Sequence, residues 1–259
     1  MRPLLLLGIL LLAGCARPHE PAPPQPRVHP SDLLDCQAVV GLVPLPAARL
    51  AERVPEGWRL LQTEDVGLPD DPRGDALLGI EAARCARGYG GNVTDASYAS
   101  YFTLVEPPAQ MRVAESRFHF LKWETLVQDP ALQAALREAG APALDGEVVF
   151  GPRLPGAEAF EVRFDMGGAH LLRATGPIPS YPDLASFRFT EHQPLTGGAW
   201  AVWNATADTT LTVGGMTVDL PPAFAAQAAG GPRAEGYALV GRATFANATV
   251  TLPPARDAP

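Results

Sequence analysis

The chain has 259 residues, 47% hydrophobic and 19% charged, with a formal net charge of −8. That is one sizeable domain, or at most two small ones, able to bury its own core. No apolar run beyond the first fifteen residues approaches the roughly 20 needed to cross a bilayer, which excludes a multispanning helical membrane protein; the acidic balance, without a Lys/Arg cluster to neutralise phosphates, excludes a nucleic-acid binder.

In chain order, Met1-Arg2 is a short positive start and Leu4 to Leu12 is almost continuously aliphatic, followed by Leu12-Ala13-Gly14-Cys15. An apolar run of about half a membrane span reads as the core of a secretory signal, not as a structural helix. Its last four residues resemble the lipobox of bacterial lipoproteins. The resemblance implies cleavage of residues 1–14, acylation (palmitate among the acyl groups) at Cys15, and a cell-envelope location on a membrane, outward of the cytoplasm. An ordinary cleaved signal with an incidental cysteine is the competing reading. Residues 15–31 are proline-rich and poor in large apolar side chains, so they form an extended tether and no core. His19 and His29 lie in it and are read as solvated. The remainder divides into one domain over 32–253 and a tail over 254–259.

Within that domain, Cys36 and Cys85 sit in strand-like segments of a chain addressed to a disulfide-permissive compartment, and they are expected to pair. Two buried thiols are the alternative. Pro46–Val54 reads as a short helix opened by proline and stopped by Pro55-Glu56-Gly57. A second helix has Asp129 as N-cap, Pro130 at its first position, Leu132 and Leu136 on one face and Gly140 beyond its end. A third is expected over Pro222–Ala229. About eleven strands account for nearly everything else: 37–43, 57–62, 76–86, 98–106, 117–126, 147–151, 158–165, 169–175, 186–192, 199–204 with 209–219, and 237–251. Gly167-Gly168 reads as the two-residue turn of a hairpin; it sets Asp165 opposite His170 and puts Arg173 on the face of Phe160, Val162 and Phe164. Three Asn-x-Ser/Thr sequons, at Asn92, Asn204 and Asn247, become acceptors only in a glycosylating host. The fold class is therefore mainly β, an antiparallel barrel or a two-sheet sandwich with two or three short helices.

Three features are similar, in order, to the acetoacetate decarboxylase-like superfamily. The first is Val43-Pro-Leu-Pro through Pro55-Glu-Gly-Trp58. The second is the strand Ala76–Cys85, followed by Ser97–Val105 ending in Val-Glu-Pro-Pro. The third is the strand Phe118–Leu126 followed by the helix Pro130–Ala139. The resemblance covers residues 36–150 and implies an antiparallel β-barrel around a small-molecule cavity. In that family the helix leads to a Pro-Lys pair whose lysine forms a Schiff base with a β-keto acid; here the corresponding pair is Pro142-Ala143.

The chain's single lysine is Lys122, against 19 arginines. An imine-forming lysine needs an apolar or cationic pocket to weaken its hold on the proton. Strict alternation puts Lys122 on one face with Phe118, Phe120 and Glu124, so Glu124 would favour the ammonium. The alternative is a lysine snorkelling from a partly exposed strand. Lys122 and Glu124 are the catalytic candidates, and Arg173 the candidate for a ligand carboxylate, a cation on an apolar face needing an anionic partner; a register slipped by one residue would turn it to solvent instead. His119, His170 and His192, with Asp165 or Glu191, could meet around a site. No sequence signature of a nucleophile elbow, metal centre or phosphate loop is present, so neither cofactor nor metal is expected. The leading function is a lipid-anchored barrel that binds a small organic, carboxylate-type ligand. The alternatives are an enzyme acting on a small carboxylic acid and a structural or adhesive envelope domain.

Overall fold

The computed structural model describes residues 24–66, 71–72, 74–141, 143–151, 160–165, 169–175, 186–220 and 232–254. The expectations for the signal sequence, Cys15, most of the tether, Pro142, the helix at 222–229 and residues 255–259 lie outside them. Thirteen strands and two helices follow in the order β1 (Arg27–Pro30), β2 (Leu33–Leu45), α1 (Ala47–Ala51), β3 (Arg59–Leu60), β4 (Ala76–Gly88), β5 (Val93–Glu106), β6 (Phe118–Val127), α2 (Pro130–Glu138), β7 (Ala143–Leu144), β8 (Val148–Phe150), β9 (Phe160–Asp165), β10 (Ala169–Thr175), β11 (Ser186–Pro194), β12 (Trp200–Asp219) and β13 (Arg233–Leu252).

Seven of these strands close a ring, β13-β2-β4-β5-β6-β11-β12, because β12 pairs with both β11 and β13. Closure removes the open edges that a sheet of this size would otherwise expose. The ring's pairings are antiparallel except β6–β11, where Phe118 lies opposite Phe189 and Phe120 opposite Glu191 in a parallel ladder. β12 and β13 are 20 residues each, twice what the ring needs. The far part of β12 pairs with β10, which carries β9 and β8. This extension folds over the outside of the ring, so Val39, Ile80, Ala99 and Tyr101 on the outer wall pack with Val148, Met216 and Val218. The wall strands are thus covered on both faces, and β5 is buried continuously from Ala96 to Val105, as its run of small and apolar residues requires.

The second helix forms as its sequence dictates. The Asp129 side chain accepts from Ala131 N at 3.0 Å, a cap worth about 1 kcal/mol. Pro130 occupies the first turn, and Gly140 takes the left-handed conformation, φ +82°. Leu132 and Leu136 are fully buried in one cluster with Cys36, Cys85, Trp203 and Val250, so α2 closes one end of the barrel.

Three expectations need correction. The tether gives way to sheet before residue 31, since β1 pairs with β13 through Arg27↔Leu252 and His29↔Val250. The ring nitrogen Nε2 of His29 is buried, not solvated, and Pro30 is tolerated because β1 is an edge strand. The segments 199–204 and 209–219 are one strand, β12, with a register shift between Asn204 and Thr206. In the β9–β10 hairpin Ala169 pairs with Asp165 and His170 with Phe164; three residues, 166–168, separate the strands instead of two. Arg173 consequently stands in register with Glu161, out of the Phe160–Val162–Phe164 series.

Candidate functional site

On β6 the alternation Phe118, Phe120, Lys122 continues toward the lumen, and there the strand breaks step. Phe102 pairs with Lys122 and the next residue, Tyr101, with Glu124, so Trp123 is the extra residue of a bulge. A bulge reverses the inward and outward sense of everything after it. Glu124 therefore leaves the Lys122 face and shares the outer face of Tyr101, contrary to strict alternation. The structure separates the two catalytic candidates and assigns Lys122 to other partners.

Lys122 is fully buried, not a snorkelling lysine. Its Nζ donates to the Tyr98 hydroxyl and is ion-paired with Oε2 of Glu191 from β11. It also sits over the Trp203 ring at 4.1 Å and the Tyr98 ring at 4.8 Å. Tyr98 in turn donates to Oε1 of Glu81 at 2.6 Å and lies 3.2 Å from Glu191 Oε2, while Ser100 donates to Glu81. Four strands thus deliver one ammonium, two carboxyls, a phenol and a hydroxyl to one point. Burial, and after it the neighbouring Glu81, push the Glu191 carboxyl up to about 8. Burial, reinforced by Glu191, also raises Tyr98 well above the ordinary phenol. Two carboxyls facing one ammonium in a dry lumen cannot both stay ionised cheaply, so the extra charge is relieved by a proton.

Beside this centre is a cavity of about 30 Å³, lined by Glu81, Glu191, Tyr98, Trp203, Phe189 and Phe245 among others. That is room for about one water, against the few hundred Å³ of a preformed ligand pocket. At the other end of the lumen Phe118, Phe120, Phe187, Phe189 and Phe245 pack together. Trp203 is 5% exposed, and its indole N–H has no acceptor among the described residues. A larger depression, about 440 Å³, lies outside the barrel over β2, β4 and β13 and is lined by Asp35, Gln37, Arg84, Asp95 and Arg242. Its Arg84 is already bonded to Asp95 and close to Glu147, so the lumen holds the more reactive chemistry.

Of the three histidines, the structure brings two together. His119 Nδ1 and His192 Nε2 are 3.3 Å apart on the outer face of β6 and β11, under Trp58 and Trp200. One of the two ring nitrogens donates to the other, and which one does so depends on the tautomers. Glu191 points the other way, into the lumen, and does not join them. His170, Asp165 and Arg173 have no described side chains. Among the described residues no group of three or more His, Cys, Asp or Glu side chains gathers as a metal site would require. The cysteines do meet: Cys36 and Cys85 are directly opposed on β2 and β4 and form a disulfide.

Glu81, Tyr98 and Trp203 were not legible as site residues. Glu81 could have been found by its position between glycine and alanine on one face of β4, a lone charge among Gly79, Ala83 and Cys85.

No family model matches the sequence, and no curated protein is significantly similar to it. Solved structures do match in fold. The enduracididine biosynthesis enzyme MppR complexed with pyruvate aligns at 12% identity and TM-score 0.50, over 94% of this chain and 97% of that one. MppR with HEPES buffer bound aligns at 13% identity and TM-score 0.50, over 89% and 87%. An acetoacetate decarboxylase from Legionella pneumophila aligns at 13% identity and TM-score 0.48, over 92% of each chain. The chain folds as a closed, mainly β barrel similar to that of the MppR structures, with a buried ion pair in its lumen. At these identities the likeness carries the fold and nothing further.

Proposed function

We propose that this protein is an exported barrel, held at a membrane by an acylated Cys15, that binds a small organic acid in its lumen. The observation that carries the reading is the placement of Lys122. Every other side-chain cation of the chain is arginine, while the single lysine lies at the lumen centre with zero exposure. A buried ion pair is a poor stabiliser compared with apolar packing of the same volume, so its presence there is better explained by a ligand than by stability. A ligand carboxylate takes the place of the Glu191 carboxyl on Lys122 and accepts from the unpaired Trp203 N–H. MppR is complexed with pyruvate in the aligned structure, which makes compact acids the first probes. Turnover by an imine is not part of this reading, since Nζ is already engaged by Glu191, Tyr98 and two ring faces.

A structural role at the envelope is the second reading, and the cavity of about 30 Å³ favours it. Native mass spectrometry of the full chain, expressed with export and purified in detergent, separates the two. Excess mass of an organic acid that disappears on denaturation, and is absent from Lys122→Met, supports binding. A bare native mass, with no thermal stabilisation by millimolar acids, supports the structural role. Fractionation of Cys15→Ala tests the anchor: the variant is expected to leave the membrane fraction.

A further inference from the structure

The lumen does not have the charge pattern of a site for a plain acid. Its cavity is lined by two carboxyls, Glu81 and Glu191, and by the rings of Tyr98 and Trp203. The cation, Lys122, lies behind Glu191 and Tyr98 and is not itself among the lining residues. Carboxylates backed by aromatic faces are the chemistry that receives an ammonium group, and Lys122 occupies part of that cage now, 4.1 Å from the Trp203 ring and 4.8 Å from the Tyr98 ring. A second observation calls for the opposite charge: the Trp203 indole N–H is buried and has no acceptor among the described residues, and a buried donor left unpaired costs free energy that an incoming oxygen recovers.

We infer that the ligand is a compact zwitterion, an amino acid of about alanine size, whose carboxylate is held by Lys122 and the Trp203 N–H and whose ammonium is held by Glu81, Glu191 and the Tyr98 ring. This rests on the lumen-binding reading above and names its ligand class. On binding, Glu191 turns from Lys122 to the ligand ammonium and the ligand carboxylate replaces it on Nζ. The exchange trades one ion pair for two and adds no net charge to a dry compartment. A plain acid adds a negative charge there, which burial penalises. The cavity alone accommodates about one water, so binding must also move apart the side chains that line it.

The test is calorimetric titration of the full chain, expressed with export and purified in detergent, with three near-isosteric probes: L-alanine, propionate and ethylammonium. Alanine is expected to bind at least ten-fold more tightly than either singly charged probe. Glu81→Gln should weaken alanine at least ten-fold and should not weaken propionate. Trp203→Phe keeps a ring but loses the N–H, and should weaken alanine and propionate alike. Propionate binding as tightly as alanine overturns the zwitterion and leaves the acid reading standing. Ethylammonium binding as tightly overturns it in favour of a cation site. If none of the three binds at millimolar concentration, while the chain retains its melting transition, both readings fall.

Discussion

Lys122 on β6 and Glu191 on β11 meet across the one parallel seam of the barrel ring. Both are sequestered, Lys122 at zero exposure and Glu191 at 3%, so each is the other's replacement for water. Removing one partner of such a pair strands the other, at a cost of about 3–5 kcal/mol, whereas replacing both by apolar groups is often neutral. Lys122→Met is therefore expected to lose about that much in urea denaturation, and Lys122→Met/Glu191→Leu to recover most of it. A loss in the double variant equal to the sum of the Lys122→Met and Glu191→Leu losses would show that the pair is not coupled.

How much of this was legible in the sequence depends on the range of the interaction. The α2 helix was readable because its cap, first-turn proline, stripe and terminal glycine are local chemistry, and the strands because β-branched and aromatic runs ended at glycine or proline. The lumen centre was not. Glu191 and Lys122 come from strands 69 positions apart in number, paired in a parallel sense that no hairpin announces. Trp123 defeated the alternation rule by one residue and moved Glu124 to the opposite face. The hairpin at 166–168 failed for the same reason: a single extra residue changes the partner of every position that follows.

The His119–His192 pair makes acid stability predictable in sign. Burial, and after it the Arg112 charge, lowers His119; burial, and after it His119, lowers His192 to about 4. A histidine held below its unfolded value contributes stability that is complete above about 6.5 and is lost as pH falls toward the folded value. Glu191 tilts the other way: its raised value favours the fold below the usual carboxylate range and loses that contribution as pH rises through about 8. Comparing the parent with His192→Phe isolates the histidine. The variant is expected to lose less stability than the parent between pH 7 and 4, measured by denaturant midpoint, and parallel curves would refute the assignment.

Cys36 and Cys85 close a loop of sequence separation 49. In the chain-entropy account such a link is worth about 4 kcal/mol. The denatured, non-reduced chain is expected to weigh two hydrogens less than the dithiol, and Cys36→Ala/Cys85→Ala to lower stability by up to that amount. The fold itself should persist, because the two strands are also joined by an antiparallel ladder running from Leu33 to Leu45.

Gly79 is directly opposite Phe102, whose ring lies across the glycine where a β-carbon would stand and packs edge-on against Phe120, with centroids 4.8 Å apart. Gly79→Ala must displace that ring, an overpacking cost of about 1–3 kcal/mol. The double variant Gly79→Ala/Phe102→Leu should be less destabilised than the sum of its parts. A fully additive result would mean that the ring has room to move.

Because Lys122 is the chain's one lysine, imine chemistry at this position can be tested cleanly. An imine forms when a free amine attacks a ketone carbon and water leaves, and hydride reduction then fixes the bond as a secondary amine. With an acylated N-terminus, Lys122 is the single amine that could do so. Its Nζ is engaged by Glu191, Tyr98 and the Trp203 ring, and attack on a carbonyl carbon would first have to break those contacts. Incubation of the full chain with pyruvate and cyanoborohydride should therefore leave Lys122 unmodified on peptide mapping. A reduced pyruvate adduct mapped to Lys122 would show that the lumen opens to the amine, and would move the reading from binding to catalysis.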